Sequence, residues 1–151
     1  FQYGAEFWFS DRARSMIENS QRLAQQSYQE MLSYVDNENL AMAHDVSEAL
    51  TVSKLPIDSR DFQGSFAQQV LYRNLSEAVI FTVTPTGQID SLVLVNPYDR
   101  PLARDINRDD IAQLNAGKPS VVSTSSERTR SVTKIAGTPL YLYAARVSGA
   151  Q

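Results

Sequence analysis

From Phe7 to Leu50 the chain carries neither proline nor glycine. Apolar and small side chains recur there at three- and four-residue steps: Ala13, Met16 and Ile17, Ser20, Leu23 and Ala24, Ser27 and Tyr28, Met31 and Leu32, Val35. This spacing collects one stripe on one face of an α-helix. A helix of ~30 residues is about 45 Å long, longer than most helices of globular domains. Such a helix is expected to span its domain as a spine, to pair with a copy of itself, or to do both. Asp36-Asn37-Glu38-Asn39 interrupts the stripe. Asp and Asn compete with the backbone for hydrogen bonds, so a kink or break is expected near 36–39. The pattern resumes at Leu40, Met42, Ala43, Val46 and Leu50, and Lys54-Leu55-Pro56 ends it, because the residue before proline is pushed out of helical geometry.

A further helix is predicted from Ser59-Arg60-Asp61, a capping sequence, to about Asn74, with Phe62, Phe66, Val70 and Leu71 at helical spacing. The chain then turns β-branched and aromatic. Residues 78–84 read as a strand, Pro85-Thr86-Gly87 as a hairpin turn with glycine at the positive-φ position, and 88–95 as the return strand. Asn96-Pro97-Tyr98-Asp99-Arg100-Pro101 is a loop. A short helix is predicted over 107–115, closed by Ala116-Gly117. Strands follow at 120–124, 131–136 and 140–147. The last is apolar on both faces, which predicts a central position in the sheet.

Helices first, then five strands with a helical insert after the second, predict an α+β fold: a helical part over 1–74 and an antiparallel sheet over 77–147 within one domain. That layout is similar to a PAS-like sheet. With a long helix in front, it resembles the extracytoplasmic variant called a Cache or PDC sensor. Fold of itself fixes no function.

Composition narrows the function class. An apolar fraction of 42% and a charged fraction of 21% fit a globular chain. A net charge of −3 with scattered basic residues argues against a nucleic-acid binder, which neutralises phosphates. The absence of cysteine removes disulfides, thiol nucleophiles and thiolate metal sites. His44 is the only histidine, so neither a protein-built zinc site nor a Ser–His triad is expected, and no P-loop or dinucleotide fingerprint is present. No catalytic residue, metal or cofactor is expected.

The first fifty residues carry a more specific signal. Phe9-Ser10-Asp11-Arg12-Ala13-Arg14, preceded by Trp8, then Glu18-Asn19-Ser20, then Asp36 onward to Leu40-Ala41-Met42-Ala43, resembles the N-terminal sensor region of nitrogen-regulation (NtrY-type) sensor histidine kinases. The resemblance implies a periplasmic sensor domain with membrane spans on both flanks in the parent protein. The phosphoacceptor histidine and ATP-binding domain are then expected outside this chain. Phe7-Trp8-Phe9 reads either as a staple packing the helix start or as an aromatic belt at a bilayer surface. Ala43-His44-Asp45-Val46 superficially matches a phosphoacceptor box, but lacks its proline and basic residue. His44 is therefore expected to be an ordinary helix residue. A Cache domain of a chemoreceptor is the alternative reading, and a cryptic hydrolase a remote third.

In PAS-like sensors a small molecule sits between the sheet and the lid that follows strand two. By position, Tyr98, Asp99 and Arg100 fall on that lid. Arg130, Lys134, Tyr141 and Tyr143 fall on the strands beneath, where an arginine can hold a carboxylate bidentately. The competing expectation, and the favoured one, is that these tyrosines fill the core and the cations are solvated. Homodimerisation is expected through the long helix, along Ile17, Ser20, Ala24, Tyr28, Met31 and Val35.

Overall fold

A computed structural model describes residues 2–125 and 127–147, and the side-chain surroundings of residue 16 and of 18 onward. The elements follow the sequence pattern closely: α1 (Gln2–Thr51), α2 (Arg60–Tyr72), β1 (Glu77–Val83), β2 (Ile89–Val95), a 3-10 turn (Leu102–Asp105), α3 (Arg108–Asn115), β3 (Val121–Thr124), β4 (Arg128–Lys134) and β5 (Tyr141–Val147). The chain divides into two compact units, 1–31 and 32–151.

The first unit is helical. Every described side chain from Met16 to Glu30 is exposed, including Met16 (65%), Leu23 (66%) and Tyr28 (58%). The packing of Phe7, Trp8, Phe9 and the Ile17 side chain lies outside the described residues.

The second unit contains the core. All strands pair antiparallel in the order β2-β1-β5-β4-β3, so β5 is central, as its apolar run predicted. Ser59 caps α2 by accepting from the Phe62 N–H at 3.2 Å, and Asn107 caps α3 by accepting from the Asp109 N–H at 3.0 Å. Gly87 takes φ +86° in the β1–β2 turn. A bulge lies between Ile80 and Phe81. β4 begins at Arg128, three residues earlier than the apolar pattern suggests, because its first turns of sheet are polar.

Strand alternation gives the sheet two faces. One carries Val79, Phe81, Tyr141, Tyr143, Ala145 and Val132, covered by Leu102, Ile106, Ile111 and Leu114 of the turn and α3; this is the lid face. The other carries Ala78, Ile80, Leu142 and Ala144, all fully buried, and takes the helices.

Two sequence expectations are corrected here. No break occurs at 36–39: α1 runs unbroken through it. Asn39 is fully buried and its amide donates to the Ser131 carbonyl at 3.1 Å and the Leu142 carbonyl at 3.3 Å. The Ser131 hydroxyl donates to Asp36 at 2.9 Å. Side chains expected to divert the helix backbone are engaged by the sheet instead, so they dock the helix. Val35, expected in a dimer seam, is 0% exposed and belongs to the core of its own unit.

Arg73, at the end of α2, reaches back to Glu38 at 3.0 Å and Asp45 at 2.8 Å. Both partners are partly exposed, so this network registers α2 against α1 more than it stabilises the fold.

Candidate functional site

The lid face is where the sequence led a ligand to be expected, and the chain between β2 and α3 builds it. Asn96 closes the first loop on itself: its Nδ2 donates to the Arg100 carbonyl at 2.7 Å, and its Oδ1 accepts from the Arg100 N–H at 3.1 Å. Asp99 takes φ +50°, a left-handed turn position that Asp tolerates. Flanked by Pro97 and Pro101, residue 100 is thereby fixed, and its guanidinium is directed onto the sheet.

It lands on carboxylates of the chain itself. Arg100 Nη2 donates to Glu77 Oε2 at 2.9 Å and also to Asp105, while Nε approaches Glu77 Oε1 at 3.5 Å. The Tyr143 hydroxyl donates to Glu77 Oε2 at 2.9 Å. Arg128 Nε stands 3.4 Å from the same oxygen, without the alignment of a hydrogen bond. Glu77 is 0% exposed. A carboxylate taken wholly out of water needs such partners, and it has two guanidinium groups and a phenol. The hydrogen bond that Arg100 donates to Glu77 is the main cause that holds the Arg100 guanidinium pKa above its ordinary value.

Burial, with the Glu77 charge behind it, pushes the Tyr143 phenol well above its ordinary value of 10.0. A raised folded-state pKa gives a contribution that is complete below the unfolded value and is lost as pH rises through the folded one. Above pH ~10 the unfolded chain sheds this proton and the folded chain keeps it. Tyr143→Phe is therefore expected to lose less stability than the parent between pH ~7 and ~11, read as urea midpoints. Parallel declines would mean that Tyr143 is not the buried phenol described.

The other predicted site residues are dispersed. Tyr98 and Asp99 sit exposed on the loop. Arg130 donates to Ser123 Oγ at 3.0 Å, and its charge opposes the burial that raises the Asp110 carboxyl. Lys134 is exposed at the end of β4. Tyr141 stacks on Phe81 with ring centroids 5.3 Å apart, and its hydroxyl donates to Asn115 Oδ1 at 3.0 Å. Of the seven, only Arg100 and Tyr143 come together. The members that sequence reasoning missed are Glu77, Asp105 and Arg128. Glu77 left one signal: it stands in phase with Val79 and Phe81, where a lid-facing apolar residue is expected.

His44 is exposed on α1 and lies 3.3 Å from Glu48, one helical turn on. Among the described residues no group of His, Cys, Asp and Glu could hold a metal ion, and no helix is long and apolar enough to cross a membrane.

The two faces meet at β5. Leu142 offers its carbonyl to Asn39 of α1, and the next residue, Tyr143, holds the buried Glu77 on the opposite face. β4 repeats the arrangement, with Ser131 toward α1 and Arg128 toward Glu77.

Comparison with known proteins gives one family: that described as the NtrY N-terminal region, matched over residues 1–151. No curated protein matches the chain, and no solved structure does.

Proposed function

Since the chain belongs to the family of NtrY N-terminal regions, the sensor part of a sensor histidine kinase, we propose that it is the extracytoplasmic signal-input domain. In this reading, binding of a ligand or partner at the lid face changes how α1 packs across a homodimer. The parent kinase carries membrane spans on both flanks, and its phosphoacceptor and ATP-binding parts lie outside this chain. The strand order β2-β1-β5-β4-β3 supports a PAS-like sheet.

The observation that carries the reading is the adjacency of Leu142 and Tyr143. A lid displacement that moves the Glu77–Tyr143 contact moves the strand whose preceding carbonyl holds α1. Two arrangements within a few kcal/mol of each other suffice to bias an output.

The exposed stretch of α1 from Met16 to Glu30 supplies the dimer seam. Met16 and Leu23 are seven residues apart, as are Ser20 and Ser27, a coiled-coil spacing. The opposite face carries Glu18, Arg22 and Gln29. The core position of Val35 ends the seam before that residue. Single cysteines in the membrane-embedded parent test the seam. Those at Ser20, Ala24 and Ser27 are expected to crosslink strongly, and those at Glu18, Arg22 and Gln29 weakly. Equal yields on the two faces would sink the dimer model.

A further inference from the structure

The end of the lid face remote from Glu77 opens into a cleft of about 240 Å³ between the β1–β2 hairpin and α3. Val83, Ile89, Ile111 and Ala112 make its walls, and among the described residues the polar side chains on it are Arg108 and Asn115, with no acidic side chain.

Both polar groups are arranged as donors. Asn115 Oδ1 is occupied by the Tyr141 hydroxyl at 3.0 Å, which fixes the amide and leaves Nδ2 as its outward end. Arg108 is in the first turn of α3, where a cation opposes the helix dipole, so its place there does nothing for the helix. The ion pairs among the described residues belong to His44, Arg73, Arg100 and Arg128, and Arg108 is in none of them. Its guanidinium lies over Gly87, where a Cβ would stand 3.7 Å from Nη2. That is ordinary van der Waals distance, so the guanidinium rests against the hairpin turn at the cleft mouth.

We infer that this cleft binds a small monocarboxylate with one aromatic ring or a branched aliphatic body. The apolar part fills the space between Ile89 and Ile111, and the carboxylate takes the Arg108 guanidinium and the Asn115 amide N–H. A cavity of ~150 Å³ takes benzene, so the volume accommodates about ten non-hydrogen atoms on the same scale. Ligands of that size commonly bind with dissociation constants on the order of a millimolar or tighter.

The inference deepens the signal-input reading by naming what the lid face takes, and rests on that reading only for the consequence of binding. Binding is measured on the 151-residue chain by titrating phenylacetate while following backbone amide shifts. Benzylamine, of the same shape and opposite charge, and acetate, the head without the body, serve as controls. Saturable shifts at Ile89, Ile111 and Asn115 with phenylacetate alone are expected. Arg108→Gln should weaken binding at least tenfold, and Ala112→Leu, which fills the cleft, should abolish it. Both positions are exposed, so unfolding midpoints should hardly move. No saturable binding, equal binding of benzylamine, or undiminished binding by Arg108→Gln overturns the site. In the full-length kinase, phenylacetate-dependent autophosphorylation tests the signalling reading separately. A chain that binds with no change in kinase output upholds the cleft and removes its sensory role.

Discussion

Replacing Glu77 by alanine will destabilise the fold by about 3–5 kcal/mol, the usual consequence of removing one partner from a buried ion pair. The loss has little to do with the attraction forfeited. It arises because Arg128, 11% exposed, is left with only the solvent-exposed Glu127 carboxylate at 4.0 Å, and Tyr143 loses its nearer acceptor and keeps only Asp105 at 3.4 Å. Arg100 retains Asp105 and some water, its side chain being 27% exposed, which places the effect toward the lower end. With m-values of ~1–3 kcal/mol/M in urea, the midpoint should fall by roughly 1–3 M. Glu77→Gln keeps an acceptor for Tyr143 and should recover part of the loss. If Glu77→Ala shifts the midpoint no more than an average surface change, within about 0.5 kcal/mol, the cluster is not closed as described.

Asn39→Asp will be at least as severe at neutral pH. The substitution removes both donors and sets a carboxylate against the Ser131 and Leu142 carbonyls, with Asp36 one turn away. An unpaired charge buried among acceptors costs several kcal/mol, comparable with the whole stability of a domain, ~5–15 kcal/mol. The sign with pH is opposite to that of an ordinary surface carboxylate. The folded state favours the protonated acid, which can still donate one hydrogen bond, so stability lost near neutrality should return on acidification through the raised pKa. Asn39→Leu, which introduces no charge, should cost about 1–3 kcal/mol for the unmatched carbonyls and show no such recovery. Circular dichroism melts of the two variants at pH ~4 and ~7 distinguish them. A variant Asn39→Asp as stable as the parent at neutrality would mean that α1 does not dock through this residue.

These two positions also mark where sequence reasoning stopped. The β1–β2 hairpin was legible because Pro85 and Gly87 have backbone requirements that hold in any context, and Gly87 does take φ +86°. The ends of α2 and α3 were legible because Ser59 and Asn107 cap locally. The central place of β5 followed from an apolar run needing cover on both faces. Asn39 has no such local meaning. In an isolated helix it weakens the backbone ladder; beside the sheet it satisfies carbonyls 92 and 103 residues away. Nothing within a helix-length window separates the two cases, so the residue read as a break.

The lid face was half legible for a similar reason. Arg100 stood out as a cation in a proline-flanked loop, and a guanidinium there invites a carboxylate ligand. The carboxylates it meets come from Glu77, 23 residues earlier, and Asp105, five residues later. Charge carries no periodicity, so a pair of this kind stays hidden until strand register is known. The NtrY-type resemblance was strongest in the N-terminal helix and weak over the sheet. The family match extends over the whole chain.

The docking of Asn39 limits the kinds of motion open to α1 along the sheet. Residues of this helix that share its buried side are Val35, Met42, Ala43 and Val46, none of which can donate a hydrogen bond from its side chain. Advancing the helix by one residue, about 1.5 Å, parts the amide from both carbonyls, and no later residue arrives to replace it. The contact therefore pins the register of α1 on β4 and β5, and an axial stroke of the helix would have to break both hydrogen bonds at once.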